Sequence, residues 1–472
     1  LLLERLQAME LEQAFRISNT ACLALSGSGG KTTALFQLAR RLSGAEGLNG
    51  AGRPVIVSAT THLHVNQIKL ADFHWVGENP QDFSTLKDNL GGVMLVTGPL
   101  DGYRSTGLNT PTISWLHDFC KIHGLPLLIE ADGSRQRPLK APAEWEPPIP
   151  GFVETVAVVA GLSGLGQPLS GEFVHRPELF ARLSGLAMGE TISPEALLRV
   201  LTHPAGGMKN IPAQARRLVL LNQADTAELQ AQAKALAGKL IPTYDSVIIA
   251  SLAQSLVHAV YEPVAGIILA AGEARRFGES KQLLDYHGQP FIRAVAKTAL
   301  ASGLSPVVVV TGANAEPVEA AVSDLPVILA RNADWQNGQS SSIRTGLQSL
   351  RHPDLQHTSP EFFEYDGGHE QVGAAIFLLA DQPQVTSTVL QALTEKHAQT
   401  LAPILAPLVA DRRANPVLFD QATFSDLKSL TGDVGGRAIF SKYQAAYLPW
   451  HDESLLMDVD TPEDLERLRK WQ

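Results

Sequence analysis

Short, continuous apolar runs recur along the whole chain, separated by segments whose apolar positions repeat every three or four residues. The runs fall at Ala21–Ser26, Val55–Ala59, Val93–Thr97, Pro126–Glu130, Val153–Ala160, Arg217–Leu221 and Ser246–Ile249. A second set follows at Val264–Ala270, Pro306–Thr311, Val327–Ala330, Ala374–Ala380 and Pro403–Val409. Runs of this length without polar alternation predict strands buried on both faces, as in parallel sheets. Amphipathic stretches such as Lys31–Leu42 and Phe291–Gly303 predict the helices between them. The expected fold class is therefore α/β, with mostly parallel sheets.

The strand at Val264 opens a fresh strand-and-turn pattern after a full set of strands has been used. The expected division is 1–260 and 261–472, with the boundary near Tyr261-Glu262-Pro263. His352–Gln371, rich in Gly, Pro and acidic residues, reads as an exposed insertion, and its three histidines read as solvated rather than metal-bound.

Composition narrows the function classes. The 472 residues are 44% hydrophobic and 18% charged, which excludes a disordered chain. Lys and Arg number 38 against 48 Asp and Glu, a net charge of −10 that gives no global footprint for nucleic acid. Two cysteines, Cys22 and Cys120, make no disulfide scaffold and suit a reducing cytoplasm. No apolar run reaches the roughly 18 residues of a membrane helix. The opening Leu1-Leu2-Leu3-Glu4-Arg5 lacks the layout of a signal peptide; as it does not start on Met, residues are expected upstream.

The first chemical constellation is Gly27-Ser28-Gly29-Gly30-Lys31-Thr32-Thr33, placed between a strand and a helix. Glycines let backbone N–H groups approach phosphate, and the helix start adds partial positive charge. Lys31 is expected to neutralise the β/γ-phosphates and Thr32 to hold Mg²⁺. Leu25 stands where the standard phosphate-loop pattern has its first Gly, so this is a shortened variant. The strand Leu127–Ile129 runs into Glu130 and Asp132, where such folds hold Mg²⁺ or activate water; the sequence leaves open which carboxylate does which. Thr60-Thr61-His62 follows another strand and faces the ligand crevice. Asn222-Gln223-Ala224-Asp225 reads either as a base contact through Asn222 and Asp225 or as a helix N-cap by Asp225. The nucleotide at this loop is expected to be ATP or GTP.

With Glu130–Arg135, Pro138–Pro142 and His175-Arg176, residues 15–255 resemble the selenium-dependent hydroxylase accessory family. That resemblance implies a P-loop NTPase-like domain that works beside molybdenum hydroxylases.

The second constellation begins VAGIILAAGEARRFGESKQLL over residues 264–284. A strand ends in Leu269-Ala270-Ala271-Gly272, and the following loop carries Arg276, Gly278 and Lys281. Small residues admit a triphosphate, and the cations suit α-phosphoryl transfer. Asp381 follows the strand Ala374–Ala380, a position that suits Mg²⁺. Asp458 and Asp460 lie on one side of an extended segment, and Thr461-Pro462-Glu463-Asp464 starts a helix.

As an ordered set with Asn332–Gly346, Leu378–Val385, Asn415–Phe419 and Gly432–Arg437, these motifs resemble the molybdenum cofactor cytidylyltransferase and guanylyltransferase family. The resemblance implies a nucleotide-diphospho-sugar transferase-like, Rossmann-like domain that joins CMP from CTP to molybdopterin. Ala271 favours CTP over GTP on the same basis, and Ala274 departs from the Ser usual there. It further implies nucleotide contacts from Leu269, Ala270, Ala271, Gly272 and Gly278, and catalytic roles for Arg276, Lys281 and Asp381. Asp381 and Asp460 would hold Mg²⁺. Ser341, Arg344, Asn415, Asp433 and Arg437 would line the pterin site. Expected partners are the molybdenum cofactor and a molybdenum hydroxylase client, with neither nucleic acid nor membrane. Two other readings stand beside this one: transfer to a sugar or alcohol phosphate, and a nucleotide-binding cofactor carrier without turnover.

Overall fold

A computed structural model describes residues 9–44, 52–273, 280–351, 372–459 and 461–470. The chain divides into two compact units, Leu1–Tyr261 and Glu262–Gln472. Each is a mixed α/β structure built on one large sheet.

In the first unit the strands are β1 (Cys22–Gly27), β2 (Val55–Ala59), β3 (Phe73–Val76), β4 (Val93–Thr97), β5 (Leu127–Glu130), β6 (Thr155–Gly161), β7 (Arg216–Asn222), β8 (Ser246–Ser251) and β9 (Leu256–Tyr261). Their order across the sheet is β9-β8-β7-β6-β1-β5-β2-β4-β3. All pairings are parallel except β8 with β9. The central strands β1, β2 and β5 are buried almost throughout, which explains their unbroken apolar runs. Helix α1 (Lys31–Ser43) leaves β1 through the glycine turn. Helix α2 (Thr110–His123) starts on Asn109, whose side chain accepts the Thr112 N–H at 2.9 Å. Helices α3 (Pro177–Ser184), α4 (Pro194–Thr202) and α5 (Ala227–Leu240) follow. Thr226 caps α5 through the Leu229 N–H at 3.2 Å, so the cap falls one residue after Asp225, the expected cap.

In the second unit the strands are β10 (Val264–Ala270), β11 (Val307–Thr311), β12 (Ile328–Arg331), β13 (Ala374–Leu379), β14 (Ile404–Val409), β15 (Arg412–Arg413), β16 (Val417–Asp420) and β17 (Ala445–Pro449). The order β12-β11-β10-β13-β16-β14-β15 places β13 at the centre with β10 beside it, and β17 pairs with β14. β10, β11, β12 and β13 run parallel, whereas β16 is antiparallel to β13 and to β14. Helices α6 (Phe291–Ala301), α7 (Gln339–Gln348) and α8 (Ser387–Thr400) accompany this sheet. Two large apolar clusters flank the sheet, one gathering Ile268, Val295 and Leu390 and the other Ile267, Val310 and Ile343, and a smaller one gathers Leu284, Phe291, Val459 and Leu468. This Rossmann-like arrangement puts the carboxyl ends of β10 and β13 next to each other.

Both cysteines are buried and unpaired. Among the described residues, no helix is long and apolar enough to cross a membrane. Arg276, Gly278, Asp460 and the His352–Gln371 insertion lie outside the described residues.

Candidate functional sites

In the N-terminal unit, Gly27 to Gly30 turn the chain from β1 into α1. The α1 N-terminus has no side-chain cap, so its first N–H groups need an outside acceptor. Gly29 has φ +82°, and a side chain there would run into the Gly161 backbone. Gly30 has φ +131°, and its Cβ would land on the Asn222 amide. Only glycine fits these two positions without moving the wall of the loop.

Lys31 is 3% exposed and folds back over the loop. Its Nζ donates to Gly27 O at 2.6 Å and pairs with Asp132 at 3.2 Å. Thr32 Oγ1 donates to Glu130 Oε2 at 2.8 Å. Burial pushes the Glu130 carboxyl above its ordinary range, and Lys31 and the Thr32 hydroxyl pull it back. The strands β1 and β5 are direct neighbours, which is why Glu130 and Asp132 reach the loop.

The two carboxylates occupy different surroundings. Asp132 accepts the Gly27 N–H at 3.3 Å and is held by two ammonium groups, Lys31 and Lys140, the latter at 2.7 Å. Lys140 also pairs with Glu146 at 2.8 Å, and Arg176 grips Glu146 with two bonds of 2.6 and 2.9 Å. A buried charge chain, Lys31–Asp132–Lys140–Glu146–Arg176, thus leads away from the loop. Lys140, Glu146 and Arg176 carry roles that no motif spacing announced beyond the resemblance.

This chain makes the unit acid-sensitive. Burial opposes the Glu146 charge, yet Arg176 and Lys140 hold its carboxyl down to about 2 from 4.5. Burial, then Arg176 and Lys140, push His175 down to about 4 from 6.5. In both cases the unfolded chain binds more protons, so stability falls as pH drops, first from 6.5 to 4 and then from 4.5 to 2. The thermal midpoint of the N-terminal transition should fall across both windows, and His175→Asn should blunt the upper one. A midpoint flat from pH 6.5 to 4 would contradict the half-buried neutral imidazole.

Asn222, read from sequence either as a base contact or as part of a helix-capping turn, bonds to the glycine loop. It is 4% exposed, its Nδ2 donates to Gly29 O at 2.7 Å, and its Oδ1 accepts the Leu252 N–H at 3.0 Å. The amide thus ties the glycine loop to the turn that follows β8. Gln223 Oε1 accepts from Ser163 Oγ at 2.6 Å, and Asp225 is exposed. Ser28 donates to Arg137 O, and Thr33 is exposed. Thr60 Oγ1 donates to Ala131 O at 3.3 Å.

In the C-terminal unit, one open cavity gathers Leu269, Ala271, Gly272, Asp381, Ser340–Ser342, Arg344 and Asp433. Ala270 and Ala271 are 2% and 4% exposed. Helix α7 enters the cavity by its N-terminus. Asn332 Nδ2 donates to Ser341 Oγ at 2.8 Å and Ser342 Oγ at 3.1 Å, while Ser340 Oγ donates to Gly432 O at 2.6 Å. The Asp433 carboxylate accepts the Gln339 N–H at 3.2 Å. Arg344 Nη2 donates to Leu430 O at 2.9 Å, so this guanidinium supports the segment before Gly432.

Asp381 follows β13 and is half-buried. Its neighbour Gln382 donates to Asp458 Oδ1 at 3.1 Å, and Gln384 donates to Met457 O at 2.9 Å. These bonds stitch the Asp458 segment to the Asp381 turn. Thr461 then opens the last helix: its hydroxyl accepts the Asp464 N–H at 3.2 Å, and Asp464 accepts the Thr461 N–H at 3.0 Å. Lys281 starts a short turn, where Gln282 reaches Gly272 O at 3.1 Å.

A second cavity adjoins the first through Leu269, Gln339 and Leu379. Asn415 and Arg437 line it together with Phe377, Phe419 and Phe440. Arg413, which carried no expectation, stacks over Phe440 at 4.2 Å from the ring centre. The five residues expected to line the pterin site are therefore split between two adjoining cavities.

Two α/β units, one with a glycine turn at a helix start and the other with a Rossmann-like sheet and a polar cavity, define a two-domain protein with a nucleotidyltransferase-type half. The family models agree with that division: one described as the YqeC protein matches residues 23–178, and one described as a MobA-like NTP transferase domain matches residues 266–447. An uncharacterised YqeC protein of Escherichia coli is 32% identical over 44% of this chain and 77% of its own length. The nicotine blue oxidoreductase of Paenarthrobacter nicotinovorans is 29% identical over 43% of this chain and 96% of its own. The purine catabolism protein PucB of Bacillus subtilis is 29% identical over 43% and 95%. The chain belongs to the YqeC family through its N-terminal half and carries a MobA-like NTP transferase domain in its C-terminal half.

Proposed function

We propose that the C-terminal unit is a CTP:molybdopterin cytidylyltransferase and that the N-terminal unit is a P-loop nucleotide-binding domain that aids maturation of a molybdenum hydroxylase. One observation carries the transferase reading: the Ala271-Gly272 turn, Asp381 and the Ser340–Ser342 turn of α7 face one cavity. A triphosphate held at Leu269–Gly272 would lie in the same cavity as Asp381. A pterin in the adjoining aromatic cavity would meet Asn415 and Arg437.

The reaction joins two phosphates. An oxygen of the pterin's terminal phosphate forms a bond to the α-phosphorus of CTP. The bond from that phosphorus to the α–β bridging oxygen breaks, and pyrophosphate leaves with the electron pair. The attacking phosphate is already ionised at pH 7, so no general base is needed. Catalysis then rests on alignment and charge neutralisation. Lys281 and Arg276 supply cations for the departing pyrophosphate. Asp381 and Asp460 fit Mg²⁺ chemically, because Mg²⁺ takes one or two carboxylates together with phosphate oxygens and water. When bound, it would neutralise phosphate charge.

At the N-terminal loop, Lys31 would move from Asp132 toward the β/γ-phosphates of ATP or GTP. Thr32 and Glu130 fit Mg²⁺, the hydroxyl directly and the carboxylate through it or through water. Asp132 would then keep its bond to Lys140. The buried, unpaired cysteines suit a reducing cytoplasm.

The test is pyrophosphate release with molybdenum-loaded molybdopterin and Mg²⁺, comparing CTP, GTP, ATP and UTP. Release with CTP alone is expected. Release with GTP alone would overturn the base assignment and keep the chemistry. No release from folded protein would remove the transferase reading and favour a carrier.

A further inference from the structure

Gln67 lies in the short turn Val65–Ile68, which follows Thr60-Thr61-His62 but is itself part of no motif. Its Oε1 accepts the His64 N–H at 2.8 Å, which fixes the direction of the amide. Its Nε2 therefore points at the phosphate loop and donates to Thr32 Oγ1 at 2.7 Å. His64 Nδ1 in turn accepts the Asn66 N–H at 3.2 Å, so the turn that carries Gln67 is capped from both directions.

The Thr32 hydroxyl can be accounted for completely. A hydroxyl has one proton and two lone pairs. The proton goes to Glu130 Oε2, at 2.8 Å, and one lone pair takes the Gln67 N–H. One lone pair is left, on an oxygen that can no longer rotate freely.

We propose that Gln67 is a positioning residue that, together with Glu130, orients the Thr32 hydroxyl so that its remaining lone pair is offered to the divalent cation of a bound nucleoside triphosphate. The inference rests on the reading of the loop as a nucleotide site. It adds a group that acts on the metal only through Thr32. Partners of this kind, one bond removed from a metal ligand, typically change metal affinity tenfold or more when they are lost. The amide is required for the job: it must accept from His64 with one end and donate to Thr32 with the other.

The experiment uses the full chain, with Mn²⁺ as the probe. Free Mn²⁺ is counted by its paramagnetic resonance signal in the presence of saturating ADP or GDP, and nucleotide affinity is measured separately in EDTA. Gln67→Met keeps the length of the side chain and removes both polar atoms. The expected result is a rise of about tenfold in the Mn²⁺ dissociation constant, with unchanged nucleotide affinity in EDTA. In a Thr32→Val background, Gln67→Met should add nothing, because the effect passes through the hydroxyl. Wild-type Mn²⁺ affinity in Gln67→Met would overturn the role of Gln67 while leaving the nucleotide site standing. An equal loss of Mn²⁺ and metal-free nucleotide affinity would also overturn it, since that marks a collapsed turn. Wild-type protein that binds no nucleotide with or without Mn²⁺ would overturn the nucleotide reading, and this one with it.

Discussion

Asp381→Ala should lower pyrophosphate release by about a thousandfold without unfolding the protein. The carboxylate stands beyond the end of β13, at the wall of the cavity and outside both large apolar clusters of the unit. Its loss removes charge at the point where negative charge moves from the α-phosphate to pyrophosphate. The packing of Leu378 and Ala380 beside it is untouched, so the melting temperature should hold. Steady-state rates with saturating CTP and acceptor, paired with a thermal melt, check both statements. A rate near wild type would take Asp381 out of the mechanism.

The second large effect belongs to the N-terminal loop. Lys31→Met should weaken ATP or GTP binding by about a hundredfold, roughly 2.7 kcal/mol. The ammonium is buried beside Asp132 and the Gly27 carbonyl, so little of its charge is lost to water. Removing one partner of a buried pair usually destabilises the fold. Here Asp132 keeps Lys140 at 2.7 Å and the Gly27 N–H at 3.3 Å, so the unit should remain folded. Calorimetric titration with both nucleotides reads the affinity. Pyrophosphate release by the C-terminal unit should be unaffected. Unchanged nucleotide affinity would contradict the assignment of Lys31 to the phosphates.

Burial set what could be read in advance. Strands flanked on both sides by others, such as β1, β5, β10 and β13, carry unbroken apolar runs, and their positions follow from sequence to within a residue or two. The edge strand β3 (Phe73–Val76) has exposed Phe73 and Val76 and a polar His74, so no unbroken apolar run marks it. β9 and β17 are likewise only partly buried, and β16 overlaps the Asn415–Phe419 motif, which reads for its chemistry and not as a strand. The antiparallel pairing of β16 with β13 is a tertiary choice that no periodicity encodes.

The candidate sites divide in the same way. Gly27–Lys31, Thr32, Glu130 and Asp132 come together because β1 and β5 are neighbours, an arrangement that strand order in such folds suggests. Gln67 depends on a contact with Thr32, far off in sequence, and a glutamine in a short polar turn carries no spacing signal. Asn222 stands at the end of β7, and its bonds to Gly29 O and the Leu252 N–H join residues far apart in the chain, which no spacing encodes.

The central claim is transfer of CMP to a pterin phosphate. CTP labelled at its α-phosphorus, incubated with the full chain, Mg²⁺ and molybdenum-loaded molybdopterin, tests it most directly. The label should appear in a pterin dinucleotide, one equivalent for each pyrophosphate released. Label recovered only as CTP, or carried to a sugar or alcohol phosphate and never to the pterin, would contradict the account.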